Sequence, residues 1–164
     1  MLIAESSPVD AKMLREILVE TGADVLVVHD AESALSEMKR FVPDMVLMDV
    51  FFPDMSGLEV SRRIRSSEGD GEWTLVMFVS ASDYDSDFEA AMEAGADCYM
   101  TKPIRKRVVL SKVRALNRIL KLKRGLDEKN SCLERLSSTD SLTGVSNRRR
   151  FDEALSTEWA RCRR

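Results

Sequence analysis

Three side chains of different chemistry stand at the ends of three apolar runs. Asp49 closes Met45-Val46-Leu47-Met48, Ser80 closes Leu75-Val76-Met77-Phe78-Val79, and Lys102 follows Ala96-Asp97-Cys98-Tyr99-Met100 by one residue. Pro53 and Gly57 follow Asp49 closely, so its run breaks at once into a turn, and an apolar run ended in this way reads as a buried strand with Asp49 at its C-terminal tip. If the three strands are parallel neighbours, a carboxylate, a hydroxyl and an ammonium meet at one sheet edge, where open α/β sheets hold their ligands. That set suits a phosphoryl group. Asp49 is the candidate nucleophile, Ser80 a hydrogen-bond donor, and Lys102 a cation for the phosphoryl oxygens.

The surrounding chain alternates strand and helix patterns, as a parallel sheet covered on both faces requires. Strands are expected near 1–5, 24–29, 44–48, 74–79 and 96–100, and helices near 8–21, 31–40, 57–66, 85–94 and from 104 onward. Ser7-Pro8, Asp30 and Ser56 are helix starts, by side-chain capping or by proline at the first turn, and Gly22 and Gly95 are helix stops. The polar segment from Ser66 to Glu72 is a loop. The expected fold is α/β, a doubly wound five-stranded parallel sheet with an extended C-terminal helix.

The order Asp49, Pro53, Gly57, Ser80-Ala81, Tyr99, Lys102-Pro103 closely resembles the receiver domain of two-component response regulators, across roughly residues 1–120. The resemblance implies a flavodoxin-like fold, phosphorylation on Asp49 by a sensor histidine kinase or phosphotransfer protein, and Mg²⁺ beside the acceptor. It also makes Ser80 and Tyr99 a switch pair: a phosphoryl group adds charge and acceptors that draw the hydroxyl inward and free space for the ring. The implied metal ligands are Glu5, Asp49 and the backbone carbonyl of Phe51. One position departs. Receivers usually end their first strand in two adjacent acids, whereas here Glu5 is followed by Ser6, which removes an anionic ligand from a hard dication. A second reading follows from that loss, a degenerate receiver that serves as a dimerisation or docking module without phosphate.

A second resemblance lies in Asp140-Ser141-Leu142-Thr143-Gly144-Val145-Ser146-Asn147-Arg148-Arg149-Arg150-Phe151, which is similar to the entry of GGDEF domains, the producers of cyclic di-GMP from GTP. Residues 137–164 are therefore expected to be the N-terminal fragment of such a domain. The family's D-x-D metal segment and glycine-rich GGDEF loop are absent, so the chain is not a diguanylate cyclase by itself and reads as a piece of a longer regulator.

Between the two lies an uninterrupted helical pattern, residues 104–136, broken only by Gly125, which costs a helix interior about 1 kcal/mol. Val108, Lys112, Ala115, Ile119, Leu122, Leu126, Lys129, Leu133 and Leu136 alternate steps of four and three. A heptad row of that length needs a partner, because alone it leaves its apolar stripe in water. The expectation is a parallel coiled coil in a homodimer, with Ala115, Ile119, Leu122, Leu126, Leu133 and Leu136 at the contact. The alternative is a helix folded back on its own receiver.

Composition narrows the function classes. No apolar run reaches the roughly 18 residues of a membrane span, and Glu5, Asp10 and Lys12 interrupt any signal-peptide pattern. Cys98, Cys132 and Cys162 are odd in number and widely spaced, which suits reduced thiols and a cytoplasmic protein. Through residue 103 there are 8 Lys and Arg against 21 Asp and Glu, a balance of −13; beyond it there are 17 against 7, a balance of +10. The basic part follows a helical pattern and reads as a solvated face, so nucleic acid is not the expected partner. His29, the one histidine, reads as a satisfied strand-end residue, and the methionines as core filling.

Overall fold

In the computed structural model, residues 1–69, 72–81 and 85–138 are described, with side chains through residue 133. Five strands and five helices alternate: β1 (Leu2–Ala4), α1 (Pro8–Val19), β2 (Leu26–Val28), α2 (Ala31–Phe41), β3 (Met45–Met48), α3 (Gly57–Ser67), β4 (Leu75–Ser80), α4 (Asp85–Glu93), β5 (Cys98–Thr101) and α5 (Lys106–Ser138). All pairings are parallel and the sheet order is β2-β1-β3-β4-β5. The order reverses beside β1, so the crevice at the carboxyl ends of β1 and β3 is the switch point where such sheets bind ligands.

The elements start and stop for local reasons. Ser7 caps α1 by accepting from the Asp10 N–H, with Pro8 in the first turn, and Asp30 caps α2 by accepting from the Ser33 N–H. Ser56 caps α3 through the Leu58 N–H. Gly22 and Gly95 take positive φ, 78° and 91°, as helix stops require. Helix α2 ends without a glycine: Val42 itself adopts φ 45°, a conformation that β-branched residues rarely take. The apolar runs behave as strands covered on both faces, since Leu2, Ile3, Ala4, Met45 to Met48 and Leu75 to Phe78 are all fully buried.

Strand edges shift by small amounts from the sequence expectation. Ser80 is the last residue of β4, β5 runs on to Thr101, β1 stops before Glu5, and α5 begins at Lys106. The chain divides into two units at Arg118 and Ile119. Within the first unit, Val109, Val113 and Leu116 form the buried stripe of α5 at steps of four and three, each side chain contributing about 1.5–3 kcal/mol by leaving water.

The heptad row is a different stripe. Val108, Ile119, Leu122, Leu126 and Leu133 are exposed, three of them by more than 60%, and Ala115 is exposed as well. The side chain of Leu136 and the GGDEF-like residues 140–151 lie outside the described residues.

Candidate functional site

Register builds the site. β1 and β3 are aligned with Ala4 opposite Met48, so Glu5 and Asp49, the next residue on each, emerge side by side. Asp49 N–H donates to the Ala4 carbonyl at 2.8 Å and extends that pairing by one residue. On the other flank Ser80 pairs with Thr101, and Lys102 N–H donates to the Ser80 carbonyl at 2.7 Å. Three strand tips thus carry Glu5, Asp49 and Ser80, all buried, with Lys102 reaching across from a fourth.

The turn after Asp49 is held open for chemistry by Gly57. Its N–H donates to the Val50 carbonyl at 2.8 Å, and a Cβ at this position would run into the Asp49 carbonyl oxygen and lie 3.2 Å from Val50 Cα. Backbone on both sides leaves no room, so glycine is required by close approach. Asp54 anchors the same turn to α2 by accepting from the N–H groups of Ala31 and Glu32 at 3.2 and 3.0 Å.

At the centre is the Lys102 ammonium. It donates to Glu5 Oε1 at 3.0 Å and Asp49 Oδ2 at 3.1 Å, and pairs with Asp10 Oδ2 at 2.9 Å. Glu5 Oε2 lies at an ion-pair distance of 2.9 Å but off hydrogen-bond geometry, and this buried oxygen has no hydrogen bond. One cation therefore faces three carboxylates. Glu5 is pushed up to about 7, first by burial and then by its neighbour Asp49, against the Ser7 N–H and Lys102, which favour its charged form. Burial alone would lower the Lys102 ammonium, but its bonds to Asp10 and Glu5 and the charge of Asp49 carry it above the usual lysine value.

Lys102 meets both Glu5 and Asp49, and Ser80 stands at the tip of the neighbouring strand β4. Tyr99 is half-buried on β5 opposite Phe78, and its ring meets Phe88 edge-on, with centroids 5.7 Å apart and planes at 88°. Phe51 N–H donates to Asp49 Oδ1 at 3.2 Å while the residue is 62% exposed, so its ring is not core packing. Phe52 packs partly buried against the core. His29 sits at the end of β2 with Nδ1 2.9 Å from the Glu5 carbonyl oxygen, the satisfied role expected of it.

Asp10 is the residue that sequence reasoning missed. Its only signal is its place three residues after the capping Ser7, which reads as ordinary helix-start chemistry.

As for Mg²⁺, the donors have the right chemistry: two buried carboxylates, one with an oxygen lacking any hydrogen bond, beside the Phe51 backbone. Among the described residues, no three side chains are grouped as a metal centre, because the carboxylates converge on Lys102 instead. Also among the described residues, no helix is long and apolar enough to cross a membrane.

Comparison with known proteins agrees with this geometry. The chain is 33% identical over 129 residues to the transcriptional regulatory protein TrcR of Mycobacterium tuberculosis, covering 78% of this chain and 49% of that protein. It is 33% identical over 128 residues to the DNA-binding response regulator MtrA of Mycolicibacterium smegmatis, covering 78% and 52%. The chain thus spans about half the length of the curated relatives it matches. Among solved structures, a response regulator from Chloroflexus aurantiacus superposes with TM-score 0.66 at 26% identity, over 70% of this chain and 93% of that one. The signal receiver domain of a histidine kinase from Syntrophus aciditrophicus superposes with TM-score 0.63 at 31% identity, over 70% and 86%. Residues 1–114 match the family model of the response regulator receiver domain, and the chain belongs to that family.

Proposed function

We propose that this receiver takes a phosphoryl group on Asp49 from a sensor histidine kinase or phosphotransfer protein and passes the change along α5 to a diguanylate cyclase output. The observation that carries the first part is the convergence of Glu5, Asp49 and Lys102 at the sheet's switch point. The Asp49 carboxylate attacks the phosphorus of the donor's phosphohistidine, the P–N bond breaks and the donor's imidazole leaves, while Lys102 neutralises the phosphoryl oxygens and Ser80 at the tip of β4 donates to one of them. Glu5, Asp49 and the Phe51 carbonyl would hold Mg²⁺, whose charge would screen carboxylate from phosphoryl group. Drawing Ser80 toward the phosphoryl group repacks the face that carries Tyr99 and Phe88.

The output is read from residues 140–151. The transcriptional and DNA-binding regulators share only about half their length with this chain, so their output is not carried over to it. In this reading the exposed row Ala115, Ile119, Leu122, Leu126, Leu133 and Leu136 pairs with a second copy, the protein is a cytoplasmic homodimer, and neither membrane nor nucleic acid is a partner.

A competing reading is a docking module that takes no phosphate. It is favoured by Ser6, and by a Lys102 already engaged with three carboxylates. Beryllofluoride with Mg²⁺ distinguishes the two. A Mg²⁺-dependent change in tyrosine and tryptophan fluorescence, lost in Asp49→Ala, supports the phosphoryl-accepting receiver, and no response beside a stable dimer supports the docking module. Sedimentation of Leu122→Glu/Leu126→Glu tests the helix row, with monomers expected.

A further inference from the structure

We propose that Cys98 and Lys112 form a peroxide-sensitive pair, in which hydrogen peroxide oxidises the Cys98 sulfur and the Lys112 amine closes a covalent sulfur–nitrogen link between β5 and α5. The inference is independent of whether Asp49 takes a phosphoryl group.

One residue of α5 is left over by the coiled-coil reading. Lys112 stands between Val108 and Ala115 in the heptad row, where an ammonium weakens an apolar contact. Its Nζ lies 3.4 Å from Cys98 Sγ, and among the described residues it has no carboxylate at ion-pair distance. The other polar contact of the sulfur is long, 3.9 Å to the Tyr99 carbonyl oxygen, and a thiol is a weak donor. Lys112 is therefore the group that meets the sulfur closely. Positive charge beside a thiol is a setting in which sulfur reacts as a nucleophile.

Both residues stand on regular structure. Cys98 opens β5 opposite Met77 of β4, and Lys112 lies two turns into α5, one position before the buried Val113. Their approach is thus set by how α5 buries Val109 and Val113, not by a loop. An oxidant has a way in: both side chains are part-buried, and Lys112 lines a cavity of about 380 Å³ with Tyr99, Met100, Thr101 and Arg105.

The chemistry balances from thiolate and ammonium. The sulfur attacks one peroxide oxygen, the O–O bond breaks, and the departing hydroxide takes a proton from the Lys112 ammonium and leaves as water. The sulfur is then a sulfenic acid and the lysine a neutral amine. The amine nitrogen attacks the sulfur, the S–O bond breaks, and the oxygen takes a proton from the nitrogen and leaves as a second water. Sulfur has given two electrons to the peroxide, and the sulfenamide product is two hydrogens lighter than the starting thiol and amine. A dithiol reductant attacks the sulfur, expels the amine, and closes its own disulfide to return the thiol. While it lasts, the link fastens the strand that carries Tyr99 to the helix that continues into the exposed row.

The test is peptide mapping of the full chain, in a Cys132→Ser/Cys162→Ser background, after exposure to hydrogen peroxide. The peptides carrying Cys98 and Lys112 are expected to emerge joined, lighter by two hydrogens than their sum, and to separate after a dithiol reductant. Lys112→Arg keeps the charge without the amine and is expected to leave Cys98 oxygenated and unjoined, while Cys98→Ser gives no joined peptide. The pair is read directly with both residues in place, so the result does not depend on the folding of either variant. A Cys98 peptide that stays unjoined beside an intact Lys112, whether unmodified or carrying oxygen alone, overturns the proposal, and so does joining to a different amine.

Discussion

The sheet carries an ionic cluster at each end, and the two are built on opposite principles. At the amino ends of β4 and β5, Arg65 donates to the Gly95 and Thr74 carbonyls at 2.6 to 2.9 Å and to Glu68 and Asp97. Its carboxylate partners are completed in turn, Asp97 by the Val76 N–H and Glu68 by the Thr74 N–H. At the carboxyl ends, Lys102 makes no comparable set of bonds to carbonyls. It is shared among three carboxylates, and one buried oxygen is left without a hydrogen bond. The first cluster is a clasp in which the donors and acceptors are matched. The second holds surplus negative charge out of water, which is costly for folding and useful only if another cation completes it.

That contrast is sharpest under removal of the cation. Lys102→Met strands buried carboxylates and is expected to lower stability by about 3–5 kcal/mol in metal-free buffer, with part of the loss recovered by Mg²⁺ in denaturant titrations. Arg65→Met removes the donors to two carbonyls and costs about 2–3 kcal/mol, but with no recovery by Mg²⁺, since Glu68 and Asp97 keep their bonds from the Thr74 and Val76 N–H groups. Equal response of both variants to Mg²⁺ would erase the distinction. Gly57→Ala is expected to cost about 1–3 kcal/mol through overpacking against the Asp49 carbonyl, and to slow phosphoryl uptake more than any substitution at the Arg65 clasp.

A further effect is a pH slope. In the folded chain Glu5 titrates at about 7, against an ordinary value of 4.5. The folded state therefore binds this proton more tightly than the unfolded state does, and stability falls as pH rises from about 4.5 through about 7, then levels off. In the presence of a chelator, denaturation midpoints of wild type should decline across that window, and Glu5→Gln should remove that part of the decline.

Most of this was open to reading from the chain. Each strand is an apolar run bounded by turn or cap residues, and the caps Ser7, Asp30 and Ser56 lie where side-chain chemistry demands them. Asp49, Ser80 and Lys102 were visible because each stands at or just beyond the end of such a run. Three features were not visible, each for a reason. Asp10 takes its role from a contact with Lys102, 92 positions away along the chain, and its local setting mimics a helix cap. Val42 closes α2 at positive φ, against its own preference and while 76% exposed, and its residue type gives no sign of it. The two stripes of α5 differ by one position, Val108 exposed and Val109 buried, and periodicity alone does not say which faces the sheet.

The central claim, that the charge-rich end of the sheet is a phosphoryl acceptor, is tested most directly by intact mass after incubation with acetyl phosphate and Mg²⁺. The account predicts one added phosphoryl group on the wild-type chain, none with chelator and none on Asp49→Ala. An unchanged mass at saturating Mg²⁺, with the fold intact, would contradict it.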